Sequence, residues 1–272
     1  MSVLSNACRR LLTKYLVRGK APSTLNAWQE AFCRWNAERL GIDLHESYAR
    51  HRRSWAALRG GYGGNNFRAL CELTHEVHEP FYSDARAEVY EAYRMHAPLH
   101  FMRMLGCRIP SWPEYLPEIK QLLEKPSALI LDFGCGLAQK SISLAQYIQR
   151  QGHPAELHLA DIPTIRMEFL KWYCARLKIP MVFGECMPAR PIPPLPRCDL
   201  CIASEVFEHL YEPLRYLNEF HEAIRTDGLL LTNVADHRDR LFHVSPKLEQ
   251  VRARLKELGY QELRPNVLFQ KR

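Results

Sequence analysis

The sequence of 272 residues lacks any run of about 18 apolar residues that could cross a lipid bilayer, so a membrane-spanning protein is not expected. Its first segment, Met1–Lys20, also lacks the uninterrupted apolar core and the cleavage site of a secretory signal, because basic residues recur among the apolar ones. We therefore expect an amphipathic surface helix there and a cytoplasmic protein. A targeting or membrane-surface role for this helix is the alternative.

The nine cysteines lack the even number and the regular spacing of a disulfide framework. Several lie within apolar segments, which is typical of reduced thiols buried in a cytosolic protein. Cys198 and Cys201 form one C-x-x-C pair, but no second pair follows at the spacing of a zinc ribbon. We therefore favour buried thiols over a metal or redox site at this pair.

A motif in which basic and aromatic residues alternate, as nucleic-acid-binding segments often have, is also missing. The net charge of +7 is modest and its basic residues are spread along the chain, which favours a solvated surface. An acidic substrate is compatible with this charge, whereas a nucleic-acid partner is not expected. With 47% hydrophobic and 25% charged residues, the chain has the composition of a globular protein with one large domain or a domain plus a cap.

One stretch, Leu129–Ser143, has the pattern of a strand, a glycine turn and a helix. An apolar run beginning at Ala128 ends on Asp132 and predicts a strand that is buried on both faces. Gly134 and Gly136 follow, and then an amphipathic helical pattern begins. This arrangement predicts a site for a nucleotide-type cofactor, because the glycines let the backbone approach the ligand and the helix presents free N–H groups.

The glycine turn does not fit a dinucleotide site, because the G-x-G-x-x-G/A motif needs a small residue where Gln139 stands. The segment D-F-G-C-G beginning at Asp132 instead resembles the first motif of the class I S-adenosylmethionine-dependent methyltransferases, D/E-x-G-x-G-x-G. Ala138 replaces the third glycine of that motif. The resemblance implies S-adenosylmethionine as the cofactor. It also implies that the cofactor is contacted by Asp132, Gly134, Cys135 and Gly136.

Strand and helix patterns alternate from residue 126 onward, which predicts a parallel sheet with helices on both faces. Two short strand patterns, 261–264 and 267–270, flank a Pro-Asn turn and predict a terminal hairpin. The resemblance adds that the last strand is antiparallel. The expected fold is α/β: a Rossmann-like, seven-stranded, mostly parallel sheet with an antiparallel last strand, plus an N-terminal helical cap.

The second predicted strand ends on Asp161, 25 residues after Gly136. A carboxylate at this place can accept hydrogen bonds from both hydroxyls of a ribose. The resemblance gives Asp161 that role and places Ile162 beside the cofactor. Asp161 could also cap the helix predicted over Pro163–Leu177, and the two roles are compatible.

The third and fourth predicted strands supply further cofactor candidates. The third ends near Glu185 and Cys186, which the resemblance places beside the adenine. The fourth ends at Ser204, a further cofactor contact by the same resemblance. The segment after it, E-V-F-E-H-L, is similar to the E-x-x-E-H-[LV] segment of the family's small-molecule branch.

Methyl transfer needs a bound donor, a nucleophile aligned with it and, for some acceptors, removal of a proton. His209 is our candidate for the general base, because the pKa of histidine suits neutral pH. Glu205 is the second catalytic candidate and Glu208 a weaker one. A local capping or hydrogen-bonding role for His209 is the alternative.

Residues 1–125 have mostly helical patterns, including one over Ala27–Leu40, and prolines mark a boundary near 110–126. We therefore expect a helical cap or substrate region over 1–125 and an S-adenosylmethionine-binding domain over 126–272. The glycine-rich segment Gly60–Asn66 predicts a loop, which serves either as a plain connector or as a lid over the active site.

Substrate contacts are expected from this first region, where polar and aromatic side chains are grouped. The candidates are Tyr62, Asn65, Tyr82 and His96. Histidines one helical turn apart, in the pairs 75/78 and 96/100, could bind a metal between two helices. A polar substrate pocket is the favoured interpretation, and no metal is expected.

The predicted function is methylation of a small-molecule metabolite on oxygen, nitrogen or carbon. The D/N-P-P-Y segment of nucleobase amino-methylating enzymes is absent after the fourth strand, and no Pro-Cys dipeptide of cytosine methylases occurs. Methylation of RNA or protein, and a non-catalytic partner protein that keeps the fold, are the alternatives. A homodimer is a possible assembly.

Overall fold

The protein is described by a computed structural model over residues 25–62, 84–87, 90–91, 94, 101, 104–106, 112, 117–236, 244–245 and 247–272, without the side chains of 55–62. Its residues fall into two compact units. The first comprises Met1–Leu73 and Pro98–Cys107, and the second comprises Thr74–Ala97 and Arg108–Arg272. This division differs from the predicted boundary at residue 125, and the assignment of separate functions to the two regions stays a prediction.

The first unit contains the helices α1 (Ala27–Leu40) and α2 (Leu44–Tyr62). A capping box starts α1, since Asn26 Oδ1 accepts a hydrogen bond from Gln29 N and Gln29 Oε1 accepts one from Asn26 N. Gly41 ends the helix in the left-handed conformation, at φ 63°. The helix predicted over Ala27–Leu40 is thereby confirmed.

The glycine-rich loop was predicted wrongly at its start, because α2 continues through Gly60 and Gly61 to Tyr62. A glycine in a helix costs only about 1 kcal/mol relative to alanine, so a helix that is already formed can continue through two of them. The side chain of Tyr62 and the whole of Asn65 lie outside the described residues.

The second unit is built on a seven-stranded sheet in the order β3-β2-β1-β4-β5-β7-β6. β7 runs antiparallel to both of its neighbours, and the other strands are parallel to one another. This confirms the predicted fold. The strands are β1 (Ala128–Phe133), β2 (Ala155–Asp161), β3 (Met181–Glu185), β4 (Cys198–Ala203), β5 (Ile224–Thr232), β6 (Gln261–Arg264) and β7 (Leu268–Gln270).

Helices connect the strands of this sheet. They are α3 (Gln139–Arg150), α4 (Ile165–Leu177), α5 (Pro213–Ala223) and α6 (Glu249–Glu257), with the 3₁₀ helices Pro117–Glu124 and Phe207–His209. β4 is buried at every position, as expected for a central strand between two helical layers. Its one carboxylate, Asp199, is compensated by hydrogen bonds from Leu129 N and Arg225 Nη1.

Three element boundaries differ from the sequence patterns. α4 begins at Ile165 and is capped by Thr164, whose hydroxyl accepts from Arg166 N, so Asp161 is not its cap. α5 ends at Ala223, and the Asp227-Gly228 pair, a sequence typical of a turn at the end of a helix, lies within β5. Ser245 followed by a proline is typical of a helix start, but α6 begins only at Glu249.

Part of the chain before residue 117 belongs to this second unit. Asp84 is buried, and its carboxylate accepts hydrogen bonds from Tyr211 N at 3.1 Å and Glu212 N at 3.2 Å. Tyr90 is buried in the same apolar cluster as Tyr216 and Cys186. Contacts far apart in sequence therefore fix the segment that follows β4.

The cysteines and the helices bear on the predictions about redox chemistry and membranes. The six described cysteines are free, buried thiols. Burial raises the pKa of Cys198 to about 12, so this thiol stays protonated. In the described part of the chain, no helix combines the length and hydropathy that a bilayer span requires.

Candidate functional site

The carboxyl ends of β3, β2, β1, β4 and β5 lie next to one another at one edge of the sheet, where ligands of open α/β folds bind. The predicted cofactor residues are brought together at this edge. They are Asp132, Gly134, Cys135 and Gly136 after β1, Asp161 and Ile162 after β2, Glu185 and Cys186 after β3, and Ser204 after β4. Both catalytic candidates, Glu205 and His209, follow β4.

The glycine turn after β1 uses backbone conformations and space that a side chain would disturb. Gly134 has φ 65°, and a Cβ atom added there would stand 2.7 Å from Val206 Cγ2. Gly136 has φ 56°. The turn is held to β2, since Gly134 N and Cys135 N both donate to Ala160 O, at 2.8 and 3.3 Å.

Asp161 connects the end of β2 to this turn. Its Oδ2 accepts from Gly136 N at 2.7 Å, and its Oδ1 accepts from Ile162 N at 2.7 Å. The guanidinium of Arg166 lies 3.6 Å from Oδ1. A carboxylate has about four acceptor positions, so two backbone donors leave room for the hydroxyls of a ribose.

Asp132 lies beneath the turn rather than at its surface. Its carboxyl group is buried and accepts a hydrogen bond from Ser141 Oγ at 2.6 Å. Burial raises the pKa of Asp132 to about 7, although the hydrogen bond from Ser141 and the charge of Lys140 each lower it. The neighbouring Cys135 side chain is also buried, and burial raises the pKa of its thiol. Contact of these two side chains with the cofactor stays a prediction.

The end of β3 forms the far side of the edge. Cys186 is buried and its N–H donates to Asp161 O at 3.0 Å, while Glu185 is exposed. A Cβ added at Gly184 would meet Pro193 Cγ at 2.9 Å, so Pro193, in the proline-rich segment 188–196 between β3 and β4, packs tightly against this strand. Ile162 is half-buried against the apolar core.

The end of β4 is joined to α3 and to β5 by side chains. Lys140 Nζ, on the first turn of α3, donates to Ser204 Oγ at 2.5 Å. Glu205 adopts φ 57° and accepts a hydrogen bond from Asn233 Nδ2 at 2.7 Å. A non-glycine residue with positive φ is uncommon and is often found at functional sites.

Two carboxyl groups and an imidazole follow β4. Glu208 is buried, Glu205 is exposed, and 29% of the His209 side chain is exposed. Burial and the neighbouring Glu205 carboxylate raise the pKa of Glu208 well above its usual range. His209 Nε2 lies 3.9 Å from Glu208 Oε1. Glu208 can therefore hold a proton near neutral pH.

The residues at this edge fit an adenosyl cofactor with an amino-acid portion. Ala138, the N-cap of α3, has no side chain that could accept from the N–H groups of the first helical turn. These groups suit a carboxylate. The Asp161 carboxylate suits ribose hydroxyls, and the half-buried Ile162 supplies an apolar surface for a base.

Three residues of the edge were not predicted from the sequence: Lys140, Arg166 and Asn233. Lys140 could have been noticed as a basic residue on the turn of helix that follows the glycines. Asn233 follows β5 as Ser204 follows β4, so the rule that ligands bind at carboxyl ends could have found it. No local pattern marks Arg166.

The side chains of the substrate candidates lie outside the described residues, so their role stays a prediction. Asn65, Tyr82 and His96 lie outside the described residues, as do the other paired histidines, and for Tyr62 only the backbone is described. Within the described ranges, no group of three or more His, Cys, Asp or Glu residues is arranged to hold a metal ion.

Comparison with known proteins gives a family match over most of the second unit. A family described as "Methyltransferase domain" matches residues 99–267. No curated protein matches the sequence. Among solved structures, magnesium protoporphyrin IX methyltransferase from Synechocystis PCC 6803, with bound S-adenosylhomocysteine, is 14% identical, with a TM-score of 0.48 over 68% of this chain and 98% of that chain.

Two other solved structures are similar at the same level. Coclaurine N-methyltransferase is 16% identical, with a TM-score of 0.41 over 83% of this chain and 63% of that chain. A methyltransferase from Aquifex aeolicus that depends on S-adenosylmethionine is 18% identical, with a TM-score of 0.40 over 58% of this chain and 86% of that chain. Identities this low bear on the fold alone.

Proposed function

Since the chain belongs to the methyltransferase domain family, we propose that it methylates an oxygen, nitrogen or carbon atom of a small-molecule metabolite. It is an enzyme of this family, and we propose S-adenosylmethionine as its methyl donor. The observation that supports the proposal best is the hydrogen bond from Gly136 N to Asp161 Oδ2. It holds the acidic residue at the end of the second strand beside the glycine turn, where a carboxylate can accept hydrogen bonds from ribose hydroxyls.

When it is bound, S-adenosylmethionine supplies a methyl group that its sulfonium makes electrophilic. The chain's own residues bind and orient this cofactor. Asp161 accepts from the ribose hydroxyls and keeps its place through Gly136 and Ile162. Glu185 and Cys186, at the end of β3, lie on the adenine side. The glycine turn and the start of α3 receive the amino-acid portion.

Proton removal from the methyl acceptor is assigned to the group that follows β4. Glu205 and His209 are accessible, so they are the catalytic candidates that would touch the acceptor. Glu208 is a positioning residue, because it is buried and acts through these two neighbours. The hydrogen bond from Asn233 holds Glu205 beside the end of β5.

The size of the acceptor is inferred from the residues that line the end of β4. The segment Ser204–Phe207 stands where nucleobase amino-methylating enzymes carry D/N-P-P-Y. The net charge of +7 is spread over the chain, which gives little reason to expect a polyanionic substrate. Tyr62, Asn65, Tyr82 and His96 are proposed as further substrate contacts.

The test combines cofactor binding with product detection. Calorimetry should show that S-adenosylhomocysteine binds and that NAD does not. Incubation with S-adenosylmethionine carrying a labelled methyl group, followed by mass spectrometry, should place the label on a metabolite from an extract. A label that appears only on RNA or protein would refute the small-molecule substrate. Absence of S-adenosylhomocysteine binding would refute the function itself.

A further inference from the structure

Lys140 has a position that the proposed reaction has not yet used. It is the second residue of α3, directly after the glycine turn, and its ammonium group donates to Ser204 Oγ at 2.5 Å. The side chain therefore reaches from α3 to the end of β4. Both of these elements border the place that the proposed function gives to the amino-acid portion of the cofactor.

Within the described residues, the hydrogen bond from the Lys140 ammonium group goes to a hydroxyl and not to a carboxylate. Its hydrogen-bond partner, Ser204, is a neutral hydroxyl. The Lys140 charge lowers the pKa of Asp132, but burial raises that pKa by more. The Asp132 carboxyl group already accepts a hydrogen bond from Ser141 Oγ. A half-buried ammonium group thus faces the site with a hydroxyl beside it.

The start of α3 adds to this positive region. The N–H groups of the first turn carry the positive end of the helix dipole, and Ala138 at the N-cap has no acceptor side chain. Lys140 and these N–H groups belong to the same helical turn. An anion at this place would gain a charge-assisted hydrogen bond from the lysine as well as backbone donors.

We propose that Lys140 binds the carboxylate of the amino-acid portion of S-adenosylmethionine, with the Ser204 hydroxyl as its support. The proposal rests on the proposed function, because it assigns a contact within the same cofactor site. In the bound state the ammonium group turns from Ser204 to the carboxylate or bridges both. Lys140 thus selects cofactors that keep the carboxylate, and an anionic group on the methyl acceptor is the competing partner for it.

The experiment compares two ligands that differ in this carboxylate alone. Calorimetry measures the Kd of S-adenosylhomocysteine and of decarboxylated S-adenosylhomocysteine, which keeps the adenosine, the sulfur and the amine. Lys140→Met should weaken S-adenosylhomocysteine binding about tenfold or more, as expected for a lost charge-assisted hydrogen bond. The same substitution should change the Kd of the decarboxylated ligand less than about twofold.

Matched variants separate this contact from effects on folding. Lys140→Arg keeps the charge and should bind S-adenosylhomocysteine within about threefold of the unmodified protein. Lys171→Met, at an exposed position of α4, removes a charge away from the turn and should leave both affinities unchanged. If Lys140→Met does not fold, as judged by circular dichroism, Lys140→Gln takes its place in the same comparison.

Three other outcomes would overturn either the role of Lys140 or the proposed function. Equal weakening of both ligands by Lys140→Met would overturn the proposal, because the lysine would then act on the adenosyl portion or on the turn. Unchanged affinity for S-adenosylhomocysteine would also overturn it and would favour a contact with the methyl acceptor. Failure of the unmodified protein to bind either ligand would instead refute the proposed function.

Discussion

The backbone of Gly134 lies so close to the side chain of Val206 that a Cβ atom on the glycine would stand 2.7 Å from Val206 Cγ2. The glycine turn after β1 and the segment after β4 therefore pack against each other without room for a methyl group. Gly134 also has φ 65°, a conformation that L residues rarely adopt. Two separate costs are thus expected from any substitution at this position.

Gly134→Ala should lower the free energy of unfolding by more than the roughly 1–2 kcal/mol expected for the left-handed conformation alone. Gly259→Ala measures that conformational cost, because Gly259 has φ 78° and no atom stands within 4 Å of its added Cβ. Adding Val206→Ala to the first variant should remove the excess. Urea unfolding would measure all three, and equal costs for the two glycine variants would contradict the tight contact.

Asp161→Asn should weaken S-adenosylhomocysteine binding by about 1.5–3 kcal/mol, because the ribose hydroxyls lose a charged acceptor. The amide oxygen of asparagine can still accept from Gly136 N, so the turn should keep its conformation. Calorimetry measures the affinity, with Glu156→Gln at an exposed position of β2 as the control. An unchanged Kd in the folded Asp161 variant would place the ribose contact elsewhere.

Glu205→Gln should lower kcat about tenfold or more if this carboxylate takes part in proton transfer. It should also move the rising limb of the pH profile to lower pH. The reason is that Glu205 contributes to the raised pKa of Glu208, and removing its charge lets Glu208 lose its proton earlier. The control is Glu212→Gln, a half-exposed acid paired with Arg215. A lowered rate with an unmoved limb would show that Glu208 does not titrate in the reaction.

Asp132→Asn should flatten the pH dependence of stability. In the unfolded chain this carboxyl group loses its proton near its ordinary pKa of 3.8, whereas burial keeps it protonated in the folded protein up to about pH 7. The free energy of unfolding therefore falls as pH rises between these values, by up to about 1.4 kcal/mol per pH unit. Urea unfolding of the cofactor-free protein at pH 5, 6 and 7 would measure the slope. An identical slope in the variant would contradict the buried, protonated carboxyl group.

The local part of the site could be predicted because its signals are adjacent in sequence. The strand, glycines and helix of Leu129–Ser143 follow one another directly, and Asp161 follows an apolar strand at the expected distance. A seven-stranded, mostly parallel sheet could be expected from the alternation of patterns together with the family resemblance. Each of these features depends on residues that are neighbours along the chain.

The other features of the site depend on contacts between residues that are far apart in sequence, which no local pattern reveals. Lys140 and Ser204 are 64 residues apart, and Asn233 and Glu205 are 28 apart, so only the folded sheet brings each pair together. The cap of α4 was misjudged because Thr164 competes with Asp161 for the same role only three residues away. The helix through Gly60 formed because the preceding turns outweigh a small local cost.

The buried carboxylate of Asp84 has a consequence for synthesis of the chain on the ribosome. Its partners, the N–H groups of Tyr211 and Glu212, are 127 and 128 residues away in sequence. At about 5–20 residues per second, roughly 6–25 seconds pass between translation of Asp84 and translation of its partners. During that interval Asp84 lacks its hydrogen-bond partners, and the neighbouring Tyr90 lacks Tyr216 of its apolar cluster. Completion of this unit therefore waits for translation to pass β4, and a nascent chain stalled before that point would expose a surface that chaperones bind.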